Sequence, residues 1–158
     1  MPKSWTTDSA LVDSIAQNLC EAVVLLPKQL LHVDELTRGF GMPFSHVQIL
    51  VMLSKGDITI GDISTTLGIA KPNITPLLDS LSERGLVQRI RGAGDKRIVN
   101  VHLTEDGEKI LEQMRAAVAS QVAGWEEDCN RSEIKQMNNA LAFLLQIAER
   151  KNKGTGHS

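Results

Sequence analysis

The run Thr59-Ile-Gly-Asp-Ile-Ser-Thr-Thr-Leu-Gly68, Ile69-Ala-Lys-Pro-Asn-Ile-Thr-Pro-Leu-Leu-Asp-Ser-Leu-Ser-Glu-Arg-Gly85 contains two helices too short to stand alone. Thr59 followed three residues later by Asp62 is a capping pair. Ile60, Ile63 and Leu67 then form one apolar face of barely two turns, which Gly68 stops. Ile74, Leu77, Leu78 and Leu81 make the apolar face of a second helix, closed by Gly85 as a left-handed cap. Two such helices joined across a glycine-containing turn form a helix-turn-helix unit. The opposite side of the second helix carries Pro72, Thr75, Pro76, Asp79 and Ser82, with Asn73 and Ser80 at its margins. It is small and polar, and slim enough to enter a groove.

On the C-terminal side, Leu86 to Arg91 and Ile98 to Leu103 alternate or are rich in β-branched residues, with Gly92-Ala93-Gly94-Asp95 between them. This pattern predicts a β-hairpin with a glycine-rich tip. Val99, Val101 and Leu103 face the helices, and Asn100 and His102 face away. Thr104 caps a further helix whose first turn is acidic through Glu105, Asp106 and Glu108, which suits the helix dipole. Ile110, Leu111, Met114, Val118 and Val122 line it. Asn130 and Glu133 cap a last helix bearing Ile134, Met137, Leu141, Leu144, Leu145 and Ala148, with a frayed end from Lys151 to Ser158.

On the N-terminal side, an apolar stripe from Leu11 through Ile15, Leu19, Val23, Leu26, Leu30, Val33 and Leu36 predicts a long amphipathic helix. Pro27 kinks or splits it. Gly39 to Pro43 is loop. Ser45 with Gln48 is a capping box for a helix that ends near Lys55-Gly56.

The expected fold class is mainly α with a small β-hairpin (α+β). Residues 1–158 form a single domain in which 57–103 are the helix-turn-helix and hairpin part. The helices of 8–38 and 104–150 carry apolar stripes that a unit of roughly fifty residues cannot cover alone. Pairing with a second chain would cover them.

Composition narrows the function classes. At 158 residues, 42% hydrophobic and 23% charged, the chain suits one soluble domain rather than a disordered or disulfide-stapled one. Cys20 and Cys129 lie far apart, in no metal-like spacing, which fits a reducing cytoplasm. The longest purely apolar-looking uncharged run, Gln136 to Ala148, is thirteen residues, against about 20 for a bilayer crossing. Neither a membrane span nor a secretory signal is expected, and the localisation expected is cytoplasmic. The net charge of −2 conceals a segregation: Arg84, Arg89, Arg91, Lys96 and Arg97 meet one acid, Asp95, within fourteen positions. Phosphate binding responds to that local field, because salt screens charge beyond about 8 to 10 Å.

Catalytic constellations are not found. His32, His46, His102 and His157 are dispersed with no His-x-x-x-His pair, and each reads as a surface or hydrogen-bonded structural histidine. Gly92-Ala93-Gly94 precedes a strand and not a helix, so it is a hairpin tip and not a phosphate loop. No enzyme activity, metal or cofactor is expected. Cys129 stands before a helix start, where a thiolate could be favoured, but Glu126, Glu127 and Asp128 oppose negative charge there. Cysteine-based redox sensing through Cys20 or Cys129 stays an alternative.

The polar helix face and the basic hairpin agree with one another. A major groove admits one helix, and the helix's N-terminal residues reach base edges. Asn73 suits an adenine edge, Thr75 a base or phosphate, and Pro76 a thymine methyl, with Ser80 at the margin. Lys71 and the free amides of the first turn face phosphates. Arg89, Arg91, Lys96 and Arg97 are placed to grip the backbone or enter a minor groove, and Asp95 holds Arg97 in one rotamer. Asn73 and Thr75 could instead merely cap and decorate a helix start. The same fold could also serve as a protein–protein interaction module.

The run from Thr59 to Arg89, then Asp95-Lys-Arg97, then Leu103-Thr-Glu-Asp-Gly107, resembles the MarR family of bacterial winged-helix transcription regulators over about residues 45 to 125. The resemblance implies a homodimer with interleaved terminal helices, a pseudo-palindromic double-stranded DNA operator and repression. It also implies release by a small anionic or aromatic molecule, by oxidation or by a metal. Asp95 and Arg97 match the family's wing pair, and Lys71 to Thr75 match the start of its recognition helix. Pro76 departs from the Arg or polar residue many members carry there. The metal-sensing branch would want histidine clusters and the oxidant-sensing branch tyrosines; the chain has no tyrosine. An effector would sit in a crevice between dimer layer and winged helix, where Phe40, Phe44, Met114 and Trp125 are candidates by residue type.

Overall fold

A computed structural model describes residues 9–92 and 98–154. The chain divides into two compact units, Met1–Met42 and Pro43–Ser158.

In the first unit, α1 (Ser9–Leu25) runs into a π-helical turn (Leu26–Leu30) and is followed by α2 (Val33–Gly39). Pro27 decides this break: it has no N–H for the α-helical ladder. The chain widens by one residue, so that the Leu31 N–H donates to the Leu26 carbonyl at 3.0 Å. His32 then adopts a left-handed conformation, φ 42°, and the stripe is split, one of the two outcomes expected of Pro27. No residue of α1 is buried; Leu11, Ile15, Leu19 and Val23 are each about half exposed or more. The 22-residue run Ser9–Leu30 contains an 18-residue window of mean hydropathy 1.4, long and apolar enough by length and composition to cross a membrane. An uncharged-run criterion does not reveal it, because Asp13 and Glu21 interrupt the window while its mean hydropathy stays high.

The second unit opens with α3 (Phe44–Leu53). The expected capping box at Ser45 is not formed. Pro43 takes the N-cap position in an extended conformation, with no side-chain cap bond, and Ser45 lies inside the helix. A strand too short to alternate, β1 (Ile58–Thr59), leads into α4 (Ile60–Leu67). Thr59 caps α4 as its spacing predicts, its Oγ1 accepting from the Asp62 N–H at 3.0 Å and donating to Asp62 Oδ2 at 2.7 Å. Gly68 ends α4 at φ 65°. α5 (Lys71–Glu83) follows, then β2 (Val87–Arg91) and β3 (Val99–Leu103). β3 is the central strand of an antiparallel sheet ordered β1-β3-β2, with Val87 opposite Leu103 and Arg91 opposite Val99.

Ile49 and Leu50 of α3, Ile63 of α4, Ile74, Leu78 and Leu81 of α5 and Val101 of β3 are fully buried. Three helices thus close on one sheet around branched aliphatic side chains. Burial of each is worth roughly 1.5 to 3 kcal/mol, which is what holds two helices of thirteen residues or fewer in register.

Thr104 joins the end of α5 to the start of α6 (Glu105–Gly124). Its Oγ1 donates to the Gly85 carbonyl at 2.5 Å and accepts from the Gly107 N–H at 3.1 Å. Its own N–H donates to the Leu86 carbonyl at 3.1 Å. A Cβ on Gly107 would stand 2.1 Å from that same carbonyl oxygen, so no side chain fits there. After a single turn of 3₁₀ helix (Trp125–Glu127), α7 (Arg131–Gly154) is capped reciprocally. The Asn130 side chain accepts from the Ser132 and Glu133 amides, and Glu133 Oε2 accepts from the Asn130 N–H. The helix continues through Lys151 to Gly154 where fraying was expected. Near that end Glu149 pairs with Lys55 and the Asn152 amide donates to Thr66 Oγ1 at 3.3 Å.

His46 is buried at 4% exposure, and neither ring nitrogen has a hydrogen-bond partner, contrary to the expectation of a surface or hydrogen-bonded histidine. Burial, and secondarily the Arg84 charge, holds its pKa below the ordinary 6.5.

Two outcomes follow from these contacts. Gly107→Ala should cost about 1 to 3 kcal/mol through overpacking. Gly124→Ala, which meets nothing within 4 Å, should be neutral or gain up to about 1 kcal/mol; urea midpoints measure both. Because the folded protein holds His46 neutral while the unfolded chain protonates it near 6.5, stability should be full above that pH and fall below it. His46→Leu should flatten this part of the stability curve, read from urea midpoints at several pH values.

Candidate nucleic-acid interface

Ile74, Leu78 and Leu81 of α5 are committed to the core with Leu77 half-buried beside them, which turns the opposite side outward. Lys71, Pro72, Asn73, Thr75, Pro76, Asp79 and Ser82 are all exposed, and Ser80 is half-buried at the margin. The periodicity of 3.6 therefore separates the two faces as the sequence predicts. Ala70, with no side chain to cap, holds the N-cap position, so Asn73 is not used as a cap. Its side chain is exposed on the first turn.

The amides at this end are fewer than expected. Pro72 has no N–H, and the Asn73 N–H donates to the Ala70 carbonyl at 2.8 Å. What the corner offers an anion is chiefly the Lys71 ammonium. It lies over the first turn of α4, 3.7 Å from where a Cβ on Gly61 would stand, so that it and the capped N-terminus of α4 share one edge. The turn between α4 and α5 is pinned from both sides: Ser64 Oγ donates to the Ile69 carbonyl at 2.7 Å, and the Ile69 N–H donates to the Ser64 carbonyl at 3.1 Å.

Beyond α5, the hairpin carries the arginines. Arg91 ends β2 and is exposed. Arg89 is not extended toward solvent. Its Nη2 donates to the Thr75 carbonyl at 3.1 Å and to Asp79 Oδ1 at 2.6 Å, joining β2 to α5. No feature of spacing announced this pair, since ten residues and a chain reversal separate its members. On the far face Gln88 and His102, directly opposite in register, lie 3.2 Å apart. Asp95, Lys96 and Arg97, the expected wing pair and its neighbour, lie outside the described residues.

Cys20 is exposed on α1 and Cys129 is half-buried, both as free thiols. An open cavity of about 800 Å³ lies in the second unit, lined by Leu53, Asp57, His102, Glu108, Leu111 and Arg115 among others. None of Phe40, Phe44, Met114 and Trp125 lines it. Met114 is buried, Phe44 is exposed, and Phe40 and Trp125 are half-buried. Its rim adds Glu105 and Glu112 against Lys109, a surplus of acid that disfavours an anion. Among the described residues no group of three His, Cys, Asp or Glu is placed to hold a metal.

A helix-turn-helix whose second helix shows a small polar face, followed at once by an antiparallel hairpin with basic residues, defines a winged-helix DNA-binding protein. The family model described as the MarR family matches residues 40–98. The transcriptional regulator YsmB of Bacillus subtilis is 26% identical over 140 residues, covering 83% of this chain and 96% of its own. Among solved structures, NadR in complex with 4-hydroxyphenylacetate is 26% identical with a TM-score of 0.64, over 82% of this chain and 91% of that one. MarR of E. coli, in its apo form, is 24% identical with a TM-score of 0.67, over 82% and 95%. Residues 40–98 thus match the MarR family, and the chain has the winged-helix fold and is similar to DNA-binding transcriptional regulators of that type.

Proposed function

We propose that the protein is a homodimeric, cytoplasmic repressor that reads a pseudo-palindromic operator and is released by a small aromatic or anionic molecule. The observation that carries the DNA-reading part is the clean division of α5: Ile74, Leu78 and Leu81 are wholly buried while Asn73, Thr75 and Pro76 stand exposed beside Lys71. In this reading α5 enters the major groove, with Asn73 on a base edge, Thr75 on a base or phosphate and Pro76 on a methyl group. Lys71, Arg91, Lys96 and Arg97 contact phosphates, with Asp95 orienting Arg97 and Ser80 at the edge of the contact.

Pairing of two chains through the helices of 8–38 and 104–150 is supported by exposed apolar side chains at both ends of the sequence. Leu11, Ile15 and Leu19 in α1, and Leu141, Leu144 and Leu145 in α7, are each 47% exposed or more. A helix whose apolar stripe is covered by a partner chain has the same length and hydropathy as a membrane span, and the winged-helix part gives the stripe a use in solution. Release by an effector draws on NadR, whose solved complex holds 4-hydroxyphenylacetate.

Log affinity for a DNA duplex should fall with log salt at a slope of about −5 to −9, as roughly six to ten neutralised phosphates require. Arg97→Ala should weaken all sequences alike and reduce the slope by about 1, whereas Asn73→Ala should chiefly relax sequence preference at a cost of about 1 to 3 kcal/mol. Filter binding across a salt series measures both; a flat response identifies a protein-binding module instead. Leu19→Glu should dissociate the dimer at micromolar concentration in sedimentation, and a monomeric wild type would end the homodimer reading.

A further inference from the structure

Pro76 sits in the interior of α5, the helix on which recognition depends. A proline there removes the N–H that would bond the Pro72 carbonyl, and its ring presses against that carbonyl, so a helix normally bends or breaks at such a point. α5 nevertheless runs without interruption from Lys71 to Glu83. A bend at Pro76 would swing Lys71, Asn73 and Thr75, the residues aimed at the groove, relative to the half of the helix anchored by Leu78 and Leu81. Groove readout requires positions held to within about 0.5 Å.

Arg89 addresses this weak point from outside the helix. One nitrogen of its guanidinium bonds the Thr75 carbonyl, the residue just before the proline, and the Asp79 carboxylate, three residues after it. The Thr75 carbonyl is also the acceptor to which the Asp79 N–H points in an α-helical ladder. The arginine therefore closes the same turn from outside that the ladder closes within, and it does so from β2, a strand registered against β3 at Val101. Asp79 would otherwise present an unpaired carboxylate on a face that approaches phosphates; in the pair its charge is met.

We propose that Arg89 is a positioning residue that splints the recognition helix across Pro76, with Asp79 as its anchor, and is not itself a phosphate contact. The proposal rests on the DNA-reading function above for its consequence, but its structural part is testable without DNA. In amide hydrogen exchange of the free protein, Arg89→Ala should raise the exchange of residues 77 to 80 by about tenfold. The same change in a Pro76→Ala background should raise it less than about threefold. Arg89→Lys, whose single ammonium can donate to both acceptors as the Arg89 Nη2 does, should lose less protection than Arg89→Ala. Asp79→Asn should be intermediate, and it serves if either arginine variant fails to fold. Equal effects in both backgrounds, or full protection in Arg89→Ala, would overturn the splint.

The DNA arm uses a duplex selected by the wild-type protein from a randomised pool, with a scrambled duplex as reference. Arg89→Ala should lower the ratio of the two affinities about tenfold while leaving the salt slope unchanged. A slope flattened by about 1 with the ratio intact would make Arg89 an ordinary phosphate contact and sink the proposal. A wild type that selects no sequence refutes the DNA-reading function, and the exchange result still decides the splint.

Discussion

The Leu86 carbonyl is the point on which the DNA-reading unit depends. It accepts the Thr104 N–H, and it lies so close to Gly107 that only a hydrogen can stand between them. Through Thr104 Oγ1 the same corner reaches the Gly85 carbonyl. The C-terminal cap of the recognition helix, the root of the hairpin and the first turn of α6 are thereby tied within a few residues. The Leu-Thr-x-x-Gly sequence has a physical reason: leucine to end the strand, threonine to bond in two directions, and glycine because the backbone passes where a side chain would be. α6 then leaves this corner for twenty residues, so its direction is set at the root of the wing.

Given that corner, the rest of the reading head follows from two kinds of force. Aliphatic burial brings α3, α4 and α5 onto β3, and it is indifferent to what the outer face carries. The polar bonds on the outside do the orienting: Thr59 at the cap of α4, Ser64 across the turn, Arg89 from β2 to α5. Each is modest, about 0.5 to 1.5 kcal/mol for an ordinary hydrogen bond and somewhat more with a charge, but each acts on a segment already held by the core. Small energies suffice when they choose among few arrangements and need not create one. The arrangement leaves Lys71 and the outer side of α5 exposed, as the proposed DNA contact requires, while satisfying Asp79 internally.

Helix positions were legible where a local rule with a short range applied. Thr59 with Asp62, Asn130 with Glu133 and Thr104 with Gly107 are contacts within four residues, and the ladder geometry makes such spacings meaningful before any tertiary contact exists. The same rule misled at Ser45, because Pro43 is a stronger determinant: its fixed φ and missing N–H place the helix start two residues earlier. It was silent about β1, where two residues cannot show alternation and only pairing with Val101 and Asn100 makes a strand. His46 lay on a helix whose apolar positions were evident, yet its own burial depends on neighbours from other elements.

The amino-acid order by itself determined the longer helices, the hairpin strands, the apolar faces and an interruption at Pro27, since each arises from chain geometry within one or two turns. It also carried the motifs that resemble the MarR family's. Tertiary structure alone decided that Arg89 turns inward to α5 rather than outward, that Gly107 has no room for a methyl group, and that a cavity opens beside Asp57 and His102 rather than at the aromatic residues. Those outcomes depend on atoms brought together from distant positions, and their distances are set by how the core packs and not by any local preference.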